Sequence, residues 1–242
     1  MNILQSPLEI KNISLKNRLI YPPMGTGMAN ADDDKIPGLN RIAVSIQKHG
    51  VKAVLQLNHA GMATSSMITG IETVSASALA SGGGREISHP LSKAEISDIV
   101  SDFSHAALRA KEAGFDGVEI HSAHSYLLNQ FYSPYYNRRT DEYGGDVLGR
   151  IRIHLEIIEA VRNKVGEDYP LFLRLGACDY TEGGTTVEDS IIAAQKFEKA
   201  GIDILDVSGG VYGFNVPGTY FMANQDAHTA YIGEIVAAYI IR

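Results

Sequence analysis

The stretch AGFDGVEIHSAHSYLLNQFYSPYYNRRTDEYGG, Ala113–Gly145, runs from a helix end through a glycine turn into a strand, then directly into two histidines and a tyrosine. Its first part has an echo further on. Lys111-Glu-Ala-Gly-Phe-Asp-Gly-Val-Glu-Ile resembles Glu198-Lys-Ala-Gly-Ile-Asp-Ile-Leu-Asp-Val. A helix end, a glycine turn and a strand that recur are the trace of a repeated βα unit. Alternating βα units in turn imply a parallel sheet with helices outside it.

The pattern extends along the chain. Candidate strands are Arg18–Pro22, Lys52–Leu57, Gly117–His121, Leu171–Leu175 and Asp203–Val207. Candidate helices are Pro37–His49, Lys93–Ala113, Gly149–Val165, Val187–Ala200 and Ala227–Ile241. Ser92 and Glu95 make an S-x-x-E capping box, and Thr186 with Asp189 is a weaker version. Four helices stop at glycine: Gly50, Gly114, Gly166 and Gly201. No linker or low-complexity tract divides the chain, so residues 1–242 are expected to form one α/β domain.

Composition narrows the classes. The chain has 242 residues, 45% of them hydrophobic and 20% charged, as in ordinary globular proteins. A net charge of −7 without a basic run argues against a nucleic-acid partner. Cys178 is the only cysteine, which excludes an intrachain disulfide and a Cys-rich metal site. The N-terminal MNILQSPLEIKN lacks a signal-peptide pattern, and no apolar run approaches the ~20 residues of a membrane span. The expected compartment is the cytoplasm, with no membrane partner.

Gln56, His121 and Arg174 each fall at or near the carboxyl end of a separate candidate strand, the end where βα barrels carry their sites. Two imidazoles and a phenol at such an end can grip a polar oxygen and move a proton. An isolated HxxH also suits loop-pinning histidines, or a metal, although no third ligand has convincing spacing. Gly25-x-Gly27 lacks the third glycine and the acidic residue of a dinucleotide fingerprint. Asp32-Asp33-Asp34 reads as a solvated turn, Asn58-His59-Ala60-Gly61 as a turn after a strand, and Asn137–Asp141 as an ion-paired loop. Cys178, with no identifiable cationic neighbour, reads as inert.

Together KNRLIYPPMGTGMA, LQLNHAG, the Ala113–Gly145 stretch, LFLRLG and DILDVSGG resemble the old yellow enzyme family of FMN-dependent reductases, with its NADH:flavin oxidoreductase and 2,4-dienoyl-CoA reductase branch. The resemblance implies a (β/α) TIM-barrel fold and FMN as cofactor. Hydride would pass from NADH or NADPH through the flavin to an α,β-unsaturated carbonyl, an enone or enoyl compound. It further implies that Pro22, Pro23, Met24 and Gly25 lie against the flavin ring with Thr26 near its edge, that Gln56 bonds the pyrimidine edge, and that Arg174 stands by N1/O2. His121 and His124 would hold the substrate oxygen and Tyr126 would donate the proton.

The chain also departs from that pattern. Family members carry a further helix and strand between PPMGTGMA and the helix before LQLNHAG, whereas Ala31–Asp34 joins them almost directly here. If Lys52–Leu57 slid into the vacant strand position, Gln56 would be displaced. About five of eight barrel strands are identifiable, and the final strands with their phosphate-binding loops are absent. The expectation is an incomplete barrel, a shortened relative of the family, with exposed edges through which copies could associate. Two rival readings remain: a non-catalytic remnant or interaction module, and a metal-dependent barrel hydrolase or lyase using His121 and His124.

Overall fold

The computed structural model describes residues 3–21, 23, 33–80 and 86–211. In chain order the elements are β1 (Leu8–Ile10), β2 (Ile13–Leu15), α1 (Ile36–Gln47), β3 (Val54–Leu57), α2 (Ser66–Thr69), β4 (Val74–Ser75), β5 (His89–Pro90), α3 (Lys93–Glu112), β6 (Gly117–Ser122), α4 (Leu127–Tyr132), α5 (Val147–Arg150), α6 (Arg152–Val165), β7 (Leu171–Gly176), α7 (Val187–Ala200) and β8 (Ile204–Ser208). The central sheet is parallel, in the order β3-β6-β7-β8. The helices line one side of it, with α1 against α3, α3 against α6 and α6 against α7. The described residues thus form part of a (β/α) barrel.

Strand alternation divides the sheet. Val118, Ile120, Leu171, Leu173 and Leu175 point to the helices and are fully buried, joining Ile96, Phe103, Ile153, Ile157 and Phe197 in the main core. Each such side chain contributes about 1.5–3 kcal/mol on burial. The other face carries Gln56, Glu119, His121, Arg174 and Asp206. The helix ends form as the sequence requires. Ser92 and Glu95 make both bonds of the capping box, the Thr186 side chain accepts from the Asp189 backbone N–H, and Gly201 ends α7 in the left-handed region with φ +114°.

The amino ends of the strands are closed by ion pairs. Asp203 receives Arg162 Nη2 at 2.5 Å and the Leu171 N–H at 2.9 Å, with Lys11 Nζ at 3.4 Å. Lys11 turns the β1–β2 hairpin, which the sequence reading missed. Asp116 receives the Ala53 N–H at 2.9 Å, Gln47 at 2.8 Å and Lys52 at 3.0 Å.

Two expectations need correction. The strand expected over Arg18–Pro22 is not formed by residues 18–21, where Leu19, Ile20 and Tyr21 are 64%, 65% and 80% exposed. A strand needs a continuous ladder, and although the Arg18 N–H donates to the Leu4 carbonyl at 2.9 Å, residues 18–21 form no ladder with any described strand. The helix expected over Gly149–Val165 begins earlier and is interrupted at Ile151, which separates α5 from α6. The turn expected at Asp32–Asp34 is seen in its described part as a 3₁₀ turn, Asp33–Lys35, with Asp34 exposed, leading into α1. The helix expected over Ala227–Ile241 lies outside the described residues.

Candidate active site at the carboxyl ends of the strands

Register brings the polar residues of the inner face together. Gln56 pairs with Glu119, and His121 with Arg174, which in turn pairs with Asp206. Gln56 therefore stays on the strand beside β6, with its amide Nε2 donating to Glu119 Oε2 at 2.7 Å. Arg174 Nη1 donates to Asp206 Oδ2 at 2.7 Å. Sequence reasoning found Gln56 and Arg174 but missed Glu119 and Asp206, although strand alternation puts Glu119 on the face of His121.

The segment after β6 delivers the other groups. The His121 ring centroid lies 5.3 Å from that of His124 and 5.2 Å from that of Tyr126. His124 Nε2 and Ser208 Oγ, at the end of β8, are 2.7 Å apart. Tyr126 is the N-cap of α4, whose six residues are all buried. His124 and Ser125 both adopt the left-handed region, with φ +58° and +63°. For L-residues this conformation costs roughly 1–2 kcal/mol each. It persists because neighbours fix it. The Ser125 N–H donates to Asn129 Oδ1 at 2.7 Å, its carbonyl accepts from Gln130 Nε2 at 2.5 Å, and its hydroxyl meets the Tyr136 hydroxyl at 2.9 Å.

The Asn58–Gly61 turn belongs to the same clamp. His59 O accepts from the Leu127 N–H at 3.0 Å, and the Met62 N–H donates to Gln130 Oε1 at 3.3 Å. Gly61 has φ +59°, and a Cβ there would stand 2.4 Å from Gln130 Oε1. Arg139 makes the expected loop lattice, pairing with Asp141 and donating to the Ala76 and Leu91 carbonyls. The Cys178 thiol is pushed up by burial, which leaves it a poor nucleophile.

Electrostatics separates the inner-face groups. Burial, with His124 and Arg174 close by, pushes His121 down to about 3, so its ring is neutral at neutral pH. Its Nδ1 is buried and has no partner among the described residues. Burial and the adjacent Asp206 push Glu119 up to about 7, against the opposing pull of Gln56 and Arg174. Among the described residues no group of three His, Cys, Asp or Glu side chains could hold a metal ion.

Of the residues expected to meet a flavin, Pro22, Met24, Gly25 and Thr26 lie outside the described residues, and Pro23 is exposed. Gln56 and Arg174 remain, both half-buried on the inner face. A two-way amide and a fixed cation on the same face of the sheet suit the polar edge of a flavin ring.

A parallel sheet backed by helices, with its polar cluster at the strands' carboxyl ends, is the arrangement of a barrel enzyme. More narrowly, the chain belongs to the NADH:flavin oxidoreductase / NADH oxidase family, whose model matches residues 29–216. It is 34% identical to an NADPH dehydrogenase of Listeria monocytogenes, covering 87% of this chain and 74% of that protein. The solved structure of morphinone reductase in complex with tetrahydroNAD is similar at TM-score 0.74 and 27% identity, over 84% of this chain and 72% of that one. The old yellow enzyme homologue from Zymomonas mobilis shares the fold at TM-score 0.74 and 24% identity, over 84% of this chain and 72% of that one. Against two longer curated relatives the chain spans only 39% and 38% of their length. Among the described residues no helix is long and apolar enough to cross a membrane.

Proposed function

We propose that the chain provides the site of an FMN-dependent oxidoreductase that takes hydride from NADH or NADPH and delivers it to an α,β-unsaturated carbonyl compound. The observation that carries this reading is the meeting of His121, His124 and Tyr126 beside Arg174 at one end of the sheet, in a chain of a flavin oxidoreductase family. FMN, when bound, supplies the hydride chemistry. Gln56 would hold its pyrimidine edge and Arg174 the N1/O2 region, with Pro22, Pro23, Met24, Gly25 and Thr26 as the backbone against the ring.

The remaining roles belong to the substrate. His121, neutral, donates an N–H to the carbonyl oxygen, and His124 donates a second. Both stabilise the negative charge that builds there. Tyr126, fixed by its place at the head of α4, gives its phenolic proton to the α-carbon. The reading includes a small-molecule substrate and action in the cytoplasm, supported by the single cysteine. It also includes association of copies, supported by β3 and β8 each being paired on one side only among the described residues.

The test is an absorbance titration of the chain with FMN under anaerobic conditions. A saturating flavin spectrum that NADH or NADPH bleaches and an enone restores is the expected result. A flavin spectrum unperturbed by the protein would overturn the reading.

A further inference from the structure

We propose that Ser208 is a positioning residue for His124: its hydroxyl donates to Nε2 and holds the ring in the tautomer that presents Nδ1–H to the substrate oxygen. The substrate rests on the reading above, whereas the contact and the tautomer are properties of the chain itself.

The two residues lie 84 positions apart, His124 just after β6 and Ser208 at the end of β8, with β7 between them in the sheet. Two features let one reach the other. Gly176 on β7, paired with Ser208, has no side chain, and a Cβ there would stand 3.2 Å from Ala123 Cα. The segment after β6 can therefore approach β7 closely. His124 then turns in the left-handed region at φ +58°, and its Nε2 comes to 2.7 Å from Ser208 Oγ. Ser208 is a firm anchor for it. The residue is 7% exposed, and its carbonyl accepts from the Ala177 N–H at 2.8 Å.

Of the two ways to share a proton across this contact, only one serves the site. A neutral imidazole has one donor and one acceptor nitrogen, and a hydroxyl can act as either. If Nε2–H donated to Ser208, Nδ1 would offer a lone pair to the oxygen on which negative charge builds. If Ser208 donates to Nε2, Nδ1 carries the proton and stabilises that charge. The bond at one nitrogen thus sets what the other offers. It also aims the ring. The His121 and His124 rings stand 5.3 Å apart at 57°, unstacked, so the direction of the His124 ring decides whether the two N–H groups converge on one atom.

The experiment is ¹⁵N NMR of the histidine rings in the full chain at about pH 8, where a ring with the ordinary pKa of about 6.5 is neutral. Protonated and unprotonated ring nitrogens resonate far apart, so the tautomer is read directly. Loss of one ring's signals in His124→Asn assigns them. The native chain should show Nδ1 protonated and Nε2 unprotonated. Ser208→Ala should release the ring into a mixture of tautomers, and Ser208→Thr, which keeps the hydroxyl, should restore the single form. With FMN bound, Ser208→Ala should lower enone affinity about tenfold, the worth of one hydrogen bond, with recovery in Ser208→Thr. If Ser208→Ala does not fold, Ser208→Cys, whose thiol is a weak donor, takes its place. Protonation at Nε2 in the native chain, or a tautomer indifferent to loss of the hydroxyl, would overturn the proposal. A chain that shows the Nδ1–H form and loses it in Ser208→Ala, but binds no FMN, would keep the role of Ser208 and lose the proposed function.

Discussion

The two ends of the same four strands are built to opposite rules. At the amino ends, Asp203 and Asp116 each receive donors from a backbone N–H and from side chains on neighbouring elements. At the carboxyl ends stand a buried nitrogen on His121 with no partner among the described residues, two consecutive left-handed residues at His124 and Ser125, and a buried carboxyl at Glu119. One end agrees with itself at every level of interaction and supplies stability. The other is held against its local preferences by Asn129, Gln130 and Tyr136. Such conflicts mark the places where a sequence specifies chemistry at some cost to stability.

Substitutions at the two ends should therefore fail differently. Asp203→Ala strands Arg162 and the Leu171 N–H and should cost about 3–5 kcal/mol in urea unfolding. A loss under about 1 kcal/mol would break the comparison at its stable end. Tyr126→Phe should slow reoxidation of the reduced protein by an enone about 10²-fold or more while leaving reduction by NAD(P)H intact. Rapid-reaction kinetics in which both half-reactions slow equally would remove Tyr126 as proton donor. Gly61→Ala forces a side chain at φ +59° against Gln130 and so loosens the Ser125 clamp. It should cost about 2 kcal/mol and lower enone affinity more than NAD(P)H affinity. Equal losses in the two affinities would assign the clamp a structural role only.

How much of this was legible in the sequence follows from the range of the forces involved. Local rules were readable. The Ser92 box, the Val187–Ala200 helix and the glycine stops at Gly166 and Gly201 depend on neighbours a few residues away. The strand expected at Arg18–Pro22 is not formed over residues 18–21 because a strand is completed by a ladder with residues distant in the chain, which the stretch itself does not reveal. For the site, the resemblance pointed to His121, His124, Tyr126, Gln56 and Arg174, and the structure brings these five onto one end of the sheet. The clamp was invisible. Nothing in the spacing signals that Leu127 binds His59 or that Tyr136 meets Ser125, since these contacts exist only after the loops fold over the strand ends. Glu119 stood in plain view two residues before His121, but its hydrogen bond from Gln56, on another strand, exists only once the sheet is assembled.

The central claim is that the carboxyl end gives up stability for chemistry, and His121→Leu tests it most directly. His121 titrates at about 3 in the folded chain against 6.5 unfolded, so the stability it supports is present above pH 6.5 and is lost as the pH falls toward 3. Urea unfolding of the native chain and His121→Leu should be compared at pH 7 and pH 5. The account predicts a variant at least as stable at pH 7, with an advantage that widens at pH 5, since the buried His154 and the half-buried His59 weaken both chains alike and only the native chain carries the His121 share of the loss. A variant less stable by more than about 1 kcal/mol at pH 7, with a gap that does not change at pH 5, would contradict it.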